Sequence, residues 1–235
     1  MFEALKQEAY EANMFLHRQG VAPFTWGNAS ACDRERGVFA IKPSGVPYET
    51  LRPEQMVIVD LDGNKVEGAL NPSSDTPTHA VLLRAFSSVG GVVHTHSEYA
   101  VAFAQAGLPI PAYGTTHADF CRGEVPCTPK LTKAEVEGAY EANTGERIVS
   151  WFREQGLDES AVPAVLVQGH GPFVWGRNAL DAAMNGAVLE IVAKMALNTR
   201  LLVPGALPID DYLLEKHYLR KHGKNAYYGQ GKQHD

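Results

Sequence analysis

Short β-like segments separated by turn residues alternate with helical segments along the chain, and this alternation restricts the fold more than any other feature. The turn Arg34–Gly37 separates the segments Ala29–Asp33 and Val38–Lys42. Asp62-Gly63 follows a third segment, Met56–Asp60. Such pairs of short segments around turn residues are typical of antiparallel hairpins.

The helical segments follow the 3.6-residue period. Leu5, Ala9, Ala12 and Leu16 lie on one face of a helix over residues 3–18, which Gly20 ends. Two apolar strands and four further helices are predicted, at residues 91–96 and 164–168 and at about 77–86, 133–155, 179–201 and 209–222. Strands interleaved with helices predict an α/β fold, a three-layer α/β/α sandwich with a central mixed, largely antiparallel sheet. Residues 1–230 are predicted to form a single domain, followed by a polar tail at residues 231–235.

Composition excludes several classes of protein. The 235 residues are 45% hydrophobic and 20% charged, which disfavours disorder. A net charge of −6 does not supply the basic surface that nucleic-acid binding needs. No segment approaches the ~18 apolar residues of a membrane span, and three cysteines without a CxxC pair indicate no disulfide framework. We therefore expect a cytoplasmic protein with neither a nucleic-acid nor a membrane partner.

The motif His94-Thr95-His96 ends the apolar strand at residues 91–96. Because side chains alternate along a strand, both imidazoles are predicted to point to one face, a spacing that can chelate a single metal ion. Two histidines on a strand can also be hydrogen-bonded structural residues. His170, in Gln-Gly-His-Gly-Pro after the second strand, is a third candidate ligand or else an exposed turn residue. Asp75, before Thr-Pro, is a fourth candidate ligand or a helix N-cap, and His79 is predicted to be a helix-face residue.

Three polar loops offer donors for an anion. They are Thr25–Asn28, Lys42–Gly45 and Ser73-Ser74, and the last of them precedes a helix. Hydroxyls, an amide, a lysine and backbone N–H groups can hold a phosphate without a P-loop. Each loop could equally be an ordinary turn, and no nucleotide-binding glycine motif accompanies them.

Seven motifs in one order resemble a known family. SSDTPTH, VVHTHS, GTTHADF, HGPFVWG and HYLRKHGKNAYYGQ, together with TWGN and IKPSG, resemble the class II aldolase family. The Asp of SSDTPTH and the YYGQ end favour its epimerase branch, the 4-epimerases that act on L-ribulose 5-phosphate. The resemblance extends from residue 1 to about residue 230. It implies an α/β/α fold and a C4 homotetramer with active sites between subunits.

The resemblance also implies roles for individual residues. It implies Zn²⁺ bound by Asp75, His94, His96 and His170, although such a donor set would also accept Mn²⁺ or Co²⁺. Asp119 and Tyr228 correspond to the two proton donors and acceptors, with Tyr228 contributed by a neighbouring subunit. The implied substrate-binding residues are Gly27, Asn28, Ser44, Gly45, Ser73 and Ser74. Residues implied to lie near the active site with less defined roles are Lys42, Thr115, Glu141, His217 and Arg220.

The implied activity is that of an isomerase, the interconversion of L-ribulose 5-phosphate and D-xylulose 5-phosphate in arabinose or ascorbate catabolism. The C4 hydrogen of a 2-ketose is not acidic, so we expect inversion by retro-aldol cleavage of the C3–C4 bond, rotation of the aldehyde and re-addition. An alternative is a class II aldolase that releases dihydroxyacetone or its phosphate plus an aldehyde. A decarboxylase and a binding module related to cytoskeletal proteins are further alternatives.

Overall fold

A computed structural model describes residues 1–229, so the predicted tail at residues 231–235 lies outside the described residues. The strands are β1 (Asn28–Asp33), β2 (Val38–Ile41), β3 (Val57–Asp60), β4 (Lys65–Glu67), β5 (Gly91–His94), β6 (Cys127–Thr128), β7 (Ala164–Val167) and β8 (Pro172–Gly176). The helices are α1 (Glu3–Arg18), α2 (Thr76–Ala85), α3 (Glu98–Ala106), α4 (Thr115–Ala118), α5 (Lys133–Glu137), α6 (Tyr140–Gln155), α7 (Ala179–Leu202) and α8 (Asp211–His222).

The strands form one sheet in the order β4-β3-β2-β1-β5-β8-β7-β6. Neighbouring strands are antiparallel except for β6 and β7, which are parallel. At the centre of the sheet, β5 pairs with β1 on one side and with β8 on the other. The predicted mixed, largely antiparallel sheet is thus confirmed, and its central strand carries the first histidine of the HxH motif.

Helices cover both faces of the sheet. α1 and α3 both pack against α7, while α2 packs against α6 in a separate group. Val92 and Val93 of β5 point to opposite faces, and both are fully buried. The predicted three-layer α/β/α sandwich is therefore confirmed. Within the described part of the chain, no helix combines the length and the apolar character needed to cross a membrane.

Several details differ from the sequence prediction, which contained no counterpart of α3, α4 or β6. β5 ends at His94 rather than at residue 96, because both neighbouring ladders stop there and Ser97 is already the N-cap of α3. The predicted helix over residues 133–155 is two helices, since the chain leaves the helical region at Gly138. Strand β8 was not predicted, although its apolar Phe-Val-Trp sequence after a His-Gly-Pro turn carries a strand signal.

Candidate active site

One cavity of about 430 Å³ opens where β1 begins and β5 ends. All three predicted polar loops line it, together with all four predicted metal ligands. The predicted residues that it brings together are Gly27, Asn28, Lys42, Ser44, Gly45, Ser73, Ser74, Asp75, His94, His96, Glu141 and His170. The loops are therefore more than ordinary turns, because segments far apart in the sequence share one concave surface.

Three imidazoles meet in this cavity. The ligand atoms of His94, His96 and His170 all lie within 4.8 Å of one another. Nε2 of His94 lies 3.0 Å from Nε2 of His96, so the HxH motif does place both rings together although the strand stops at His94. This group is able to hold a metal ion, and three imidazoles with an oxygen donor nearby are a donor set that Zn²⁺ accepts.

The surroundings of the imidazoles fit a metal site. Nδ1 of His94 lies 2.9 Å from the carbonyl oxygen of Pro172, and because a carbonyl only accepts, Nδ1 carries the proton. When the ring carries only this one proton, its Nε2 has a lone pair for a ligand. Burial is the main cause that lowers the pKa of His170 to about 4, and burial also lowers the pKa of His96. Both rings are thus neutral at pH 7, the form that binds metal.

Asp75 borders the cavity but is not one of the three clustered ligands. It occupies the N-cap position of α2, yet its side chain makes no capping hydrogen bond. Instead Nδ2 of Asn28 donates to Oδ2 of Asp75 at 2.7 Å and to Oγ of Ser73 at 3.0 Å. Burial raises the pKa of Asp75, but the nearby His94 and His79 rings and the Asn28 amide lower it overall. Asp75 is therefore a carboxylate that faces the histidines rather than a helix cap.

His79 lies on α2, as the sequence predicted, and on the buried face of that helix. It is fully buried, and its Nδ1 lies 2.8 Å from Oγ of Ser30 on β1. Burial lowers its pKa to about 3, so the ring is neutral behind the cavity. Its spacing on α2 gave no sign of this contact, because Ser30 lies 49 residues away.

The loop that carries Lys42 and the loop that carries Ser73 are joined through their backbones. The N–H of Ser73 donates to the carbonyl of Lys42, and the N–H of Ser44 donates to the carbonyl of Asn71, both at 3.0 Å. The Lys42 side chain is 1% exposed, and burial lowers its pKa to about 8. Its ammonium group lies 4.9 Å from the centre of the Tyr48 ring. A cation and a set of hydroxyls thus face the cavity on a rigid frame.

Five predicted residues do not line this cavity and lie together elsewhere. Asp119 caps the end of α4, and its carboxylate accepts from His217 at 3.1 Å and from Arg220 at 3.1 and 2.5 Å. Tyr228 packs its ring against the Arg220 guanidinium, 5.1 Å away, and is 61% exposed. Thr115 lies one turn before Asp119, whose backbone N–H donates to the Thr115 carbonyl. We call these five residues the C-terminal group: Thr115, Asp119, His217, Arg220 and Tyr228.

Two side chains of the cavity, Tyr140 and Trp26, were given no individual role by sequence reasoning. The Tyr140 hydroxyl lies 3.2 Å from Nδ1 of His170 and so contacts one of the two ring nitrogens directly. Trp26 lies at the mouth, half-exposed, with its ring 6.1 Å from that of His96. Trp26 belongs to a loop that the sequence had singled out, whereas nothing in the local sequence distinguished Tyr140.

A three-histidine group with a carboxylate beside it and polar loops around it is the kind of site that a metal-dependent enzyme can use for an anionic substrate. Residues 7–197 match the family described as Class II Aldolase and Adducin N-terminal domain. The chain belongs to this family.

Among sequence relatives, the chain is 55% identical over 228 residues to "L-ribulose-5-phosphate 4-epimerase UlaF" of Salmonella paratyphi A (strain ATCC 9150 / SARB42). The alignment covers 97% of this chain and 99% of the relative. The protein of the same name from Salmonella typhi gives the same identity and coverage.

Among solved structures, an L-fuculose 1-phosphate aldolase matches with a TM-score of 0.76 and 25% identity, over 91% of this chain and 94% of that one. YgbL from Escherichia coli, described as a putative aldolase/epimerase/decarboxylase, matches with a TM-score of 0.71 and 25% identity, over 91% and 97% of the two chains. The epimerase reading thus has much closer relatives than the aldolase alternative.

Proposed function

We propose that the protein is an L-ribulose-5-phosphate 4-epimerase, an isomerase that interconverts L-ribulose 5-phosphate and D-xylulose 5-phosphate. The observation that carries this proposal is the meeting, in one cavity, of three imidazoles and the three polar loops. The 55% identity to epimerases over nearly the full length of both chains supports the same substrate.

Inversion at C4 requires cleavage of the C3–C4 bond, because the C4 hydrogen is not adjacent to the carbonyl. Loss of the C4 hydroxyl proton drives retro-aldol cleavage to an enediolate and glycolaldehyde phosphate, and rotation of the aldehyde before re-addition inverts C4. A divalent cation, proposed to be Zn²⁺, held by His94, His96, His170 and Asp75, would supply positive charge beside the substrate oxygens. Asn28 orients Asp75 for this task through its 2.7 Å hydrogen bond.

The loops hold the phosphate and prevent the aldehyde from leaving. Lys42 supplies a cation, and Ser44, Ser73 and Ser74 supply hydroxyl and backbone donors at the cavity wall. Oδ1 of Asn28 is buried and has no hydrogen-bond partner within the described residues. A buried acceptor without a partner is costly, so this oxygen is suited to accept a sugar hydroxyl when substrate binds.

Asp119 and Tyr228 are proposed to transfer the protons, from a neighbouring subunit of a homotetramer. Both lie in the C-terminal group and outside the cavity of their own chain. This placement supports the proposal that the neighbour contributes them. Burial raises the pKa of Asp119, but the hydrogen bonds from Arg220 and His217 lower it overall. Asp119 is therefore ionised at neutral pH and able to accept a proton, while the Tyr228 phenol can donate one on the other face of the substrate.

The test is to incubate purified protein with L-ribulose 5-phosphate and to follow D-xylulose 5-phosphate with a coupled assay, together with free dihydroxyacetone. We expect D-xylulose 5-phosphate to form without dihydroxyacetone, and treatment with EDTA to stop the reaction. Release of dihydroxyacetone as the main product would favour the aldolase alternative. No conversion by metal-loaded protein would contradict the proposal.

A further inference from the structure

Tyr48 lies beneath the cavity and contacts two of its loops without lining it. Its side chain is 1% exposed, in the short 3₁₀ turn Tyr48–Thr50 after the Lys42 loop. The hydroxyl group donates to the carbonyls of both Trp26 and Gly27, at 3.1 Å each. One buried proton is thus shared between two successive carbonyls of the loop that leads into Asn28.

This shared hydrogen bond requires an unusual loop. Successive carbonyls converge on one donor here because Gly27 adopts a left-handed conformation with φ +71°. The loop is also pressed against the strand of the metal ligands, since a Cβ at Gly27 would lie 2.7 Å from the His94 carbonyl oxygen. The Tyr48 hydroxyl and the His94 backbone therefore hold the loop from two sides.

The Tyr48 ring has a second contact, with a different loop. The Lys42 ammonium lies 4.9 Å from the ring centre, a distance at which a cation is attracted to an aromatic face. The ring is itself stacked on His17 of α1, with centroids 4.9 Å apart and an interplanar angle of 8°. His17 Nδ1 in turn lies 3.2 Å from the carbonyl of Ala22, earlier in the Trp26 loop.

We propose that Tyr48 is a positioning residue for substrate binding, which fixes the Trp26-Gly27 turn through its hydroxyl and the Lys42 ammonium through its ring. Both groups then meet the substrate phosphate and sugar in one preset arrangement, so less ordering is needed when substrate binds. This inference rests on the proposed function, because the two loops are assigned to the substrate there. Burial raises the pKa of Tyr48, which keeps the hydroxyl a donor at all physiological pH values.

The test compares Tyr48→Phe, which removes only the hydroxyl, with Tyr10→Phe, a partly buried tyrosine that packs on the core away from the cavity. For Tyr48→Phe we expect a KM for L-ribulose 5-phosphate raised about tenfold, with kcat changed less than about twofold and metal content unchanged. The dissociation constant for inorganic phosphate should rise in parallel. Tyr10→Phe should leave all of these values unchanged. A Tyr48→Phe protein with unchanged KM, whatever its melting temperature, would overturn the proposal.

Two further measurements separate positioning from simple destabilisation. If Tyr48 acts through the loop that carries Asn28, then Tyr48→Phe and Asn28→Ala should raise KM together by less than the product of their separate effects. Fully multiplicative effects would contradict an action through this loop. Tyr48→Leu, which removes the ring as well, should bind phosphate more weakly than Tyr48→Phe, and this difference should vanish in a Lys42→Met background. A difference that persists there would rule out the contact between the ring and Lys42 as its cause.

Failure of this inference is distinguishable from failure of the proposed function. If wild-type protein does not convert L-ribulose 5-phosphate, the proposed function fails, and the phosphate titration still tests Tyr48. If the wild type is active and Tyr48→Phe behaves like Tyr10→Phe in every assay, only the role of Tyr48 fails.

Discussion

The cavity and the C-terminal group are two sets of polar residues with opposite settings. The cavity lies at the ends of two central strands, β1 and β5. Asn28 and His94 pair there, so the residues of the cavity are connected to the main core through the sheet. The C-terminal group lies on or just after α4 and α8, and these helices meet over a small separate cluster of Ala112, Ala118 and Leu214. Imidazoles dominate the first set, and charged or exposed side chains dominate the second. Under the proposed function the two sets are halves of one site: the cavity binds metal and substrate, and the C-terminal group of a neighbouring subunit completes it.

His96→Asn would disrupt the imidazole cluster of the cavity and should have the largest effect on activity. Loss of one of three clustered imidazoles should abolish stoichiometric metal binding and lower kcat by ~10³-fold or more. Metal analysis and steady-state kinetics check this, with the secondary structure followed by circular dichroism. Normal metal content in the variant would show that His96 is not a ligand.

Tyr228→Phe would change only the C-terminal group and leave the cavity intact. The variant should bind metal and assemble normally while kcat falls about 10²- to 10³-fold, the usual contribution of a proton-transferring group. Tyr227→Phe, the adjacent exposed tyrosine, is the matched control and should remain active.

Mixing then tests whether the two halves come from different chains. Inactive Tyr228→Phe chains reassembled with inactive His96→Asn chains should regain partial activity, because some sites would combine both intact halves. Demonstrated mixed oligomers without any activity would mean that no site is shared between subunits in this way.

Lys42, which lines the cavity, should make substrate binding depend on pH. Its pKa is lowered to about 8 by burial, so the free protein carries this cation below pH 8 and loses it above. KM should therefore rise as the pH increases from 7 to 9. Lys42→Met should have a KM about 30-fold higher at pH 7, since a charge-assisted hydrogen bond is lost, and should lack this rise with pH. Lys65→Met, outside the cavity, is the control, and an unchanged pH profile in Lys42→Met would exclude Lys42 as its origin.

Tyr140→Phe should have the smallest effect, which is confined to the affinity of the cavity for metal. Removing the hydroxyl beside Nδ1 of His170 should weaken metal binding about tenfold, as is usual for groups that orient a histidine ligand. Competition with a chelator measures this affinity, and Tyr99→Phe, outside the cavity, is the comparison. An unchanged metal affinity would show that Tyr140 lines the cavity without affecting metal binding.

The sequence by itself determined the elements and the kinds of chemistry. Helix α1 was predicted with its observed bounds, because its apolar spacing is a local signal. The HxH motif and the polar loops were recognised for the same reason, since donor types and short spacings can be read without a structure. The family resemblance added the candidate ligands, and three of them, His94, His96 and His170, do cluster.

Only the tertiary structure decided how these parts meet. It turned Asp75 from a capping candidate into the partner of Asn28, and it placed His79 against Ser30 in the core. It brought Tyr140 to His170 and Tyr48 to the Trp26 loop, and it left Asp119 with Tyr228 outside the cavity of their own chain. The four side-chain contacts join residues that are 22 to 49 positions apart in the sequence, so a local sequence pattern cannot predict them. Strand pairing and helix packing determine these contacts, and both depend on the fold of the whole chain.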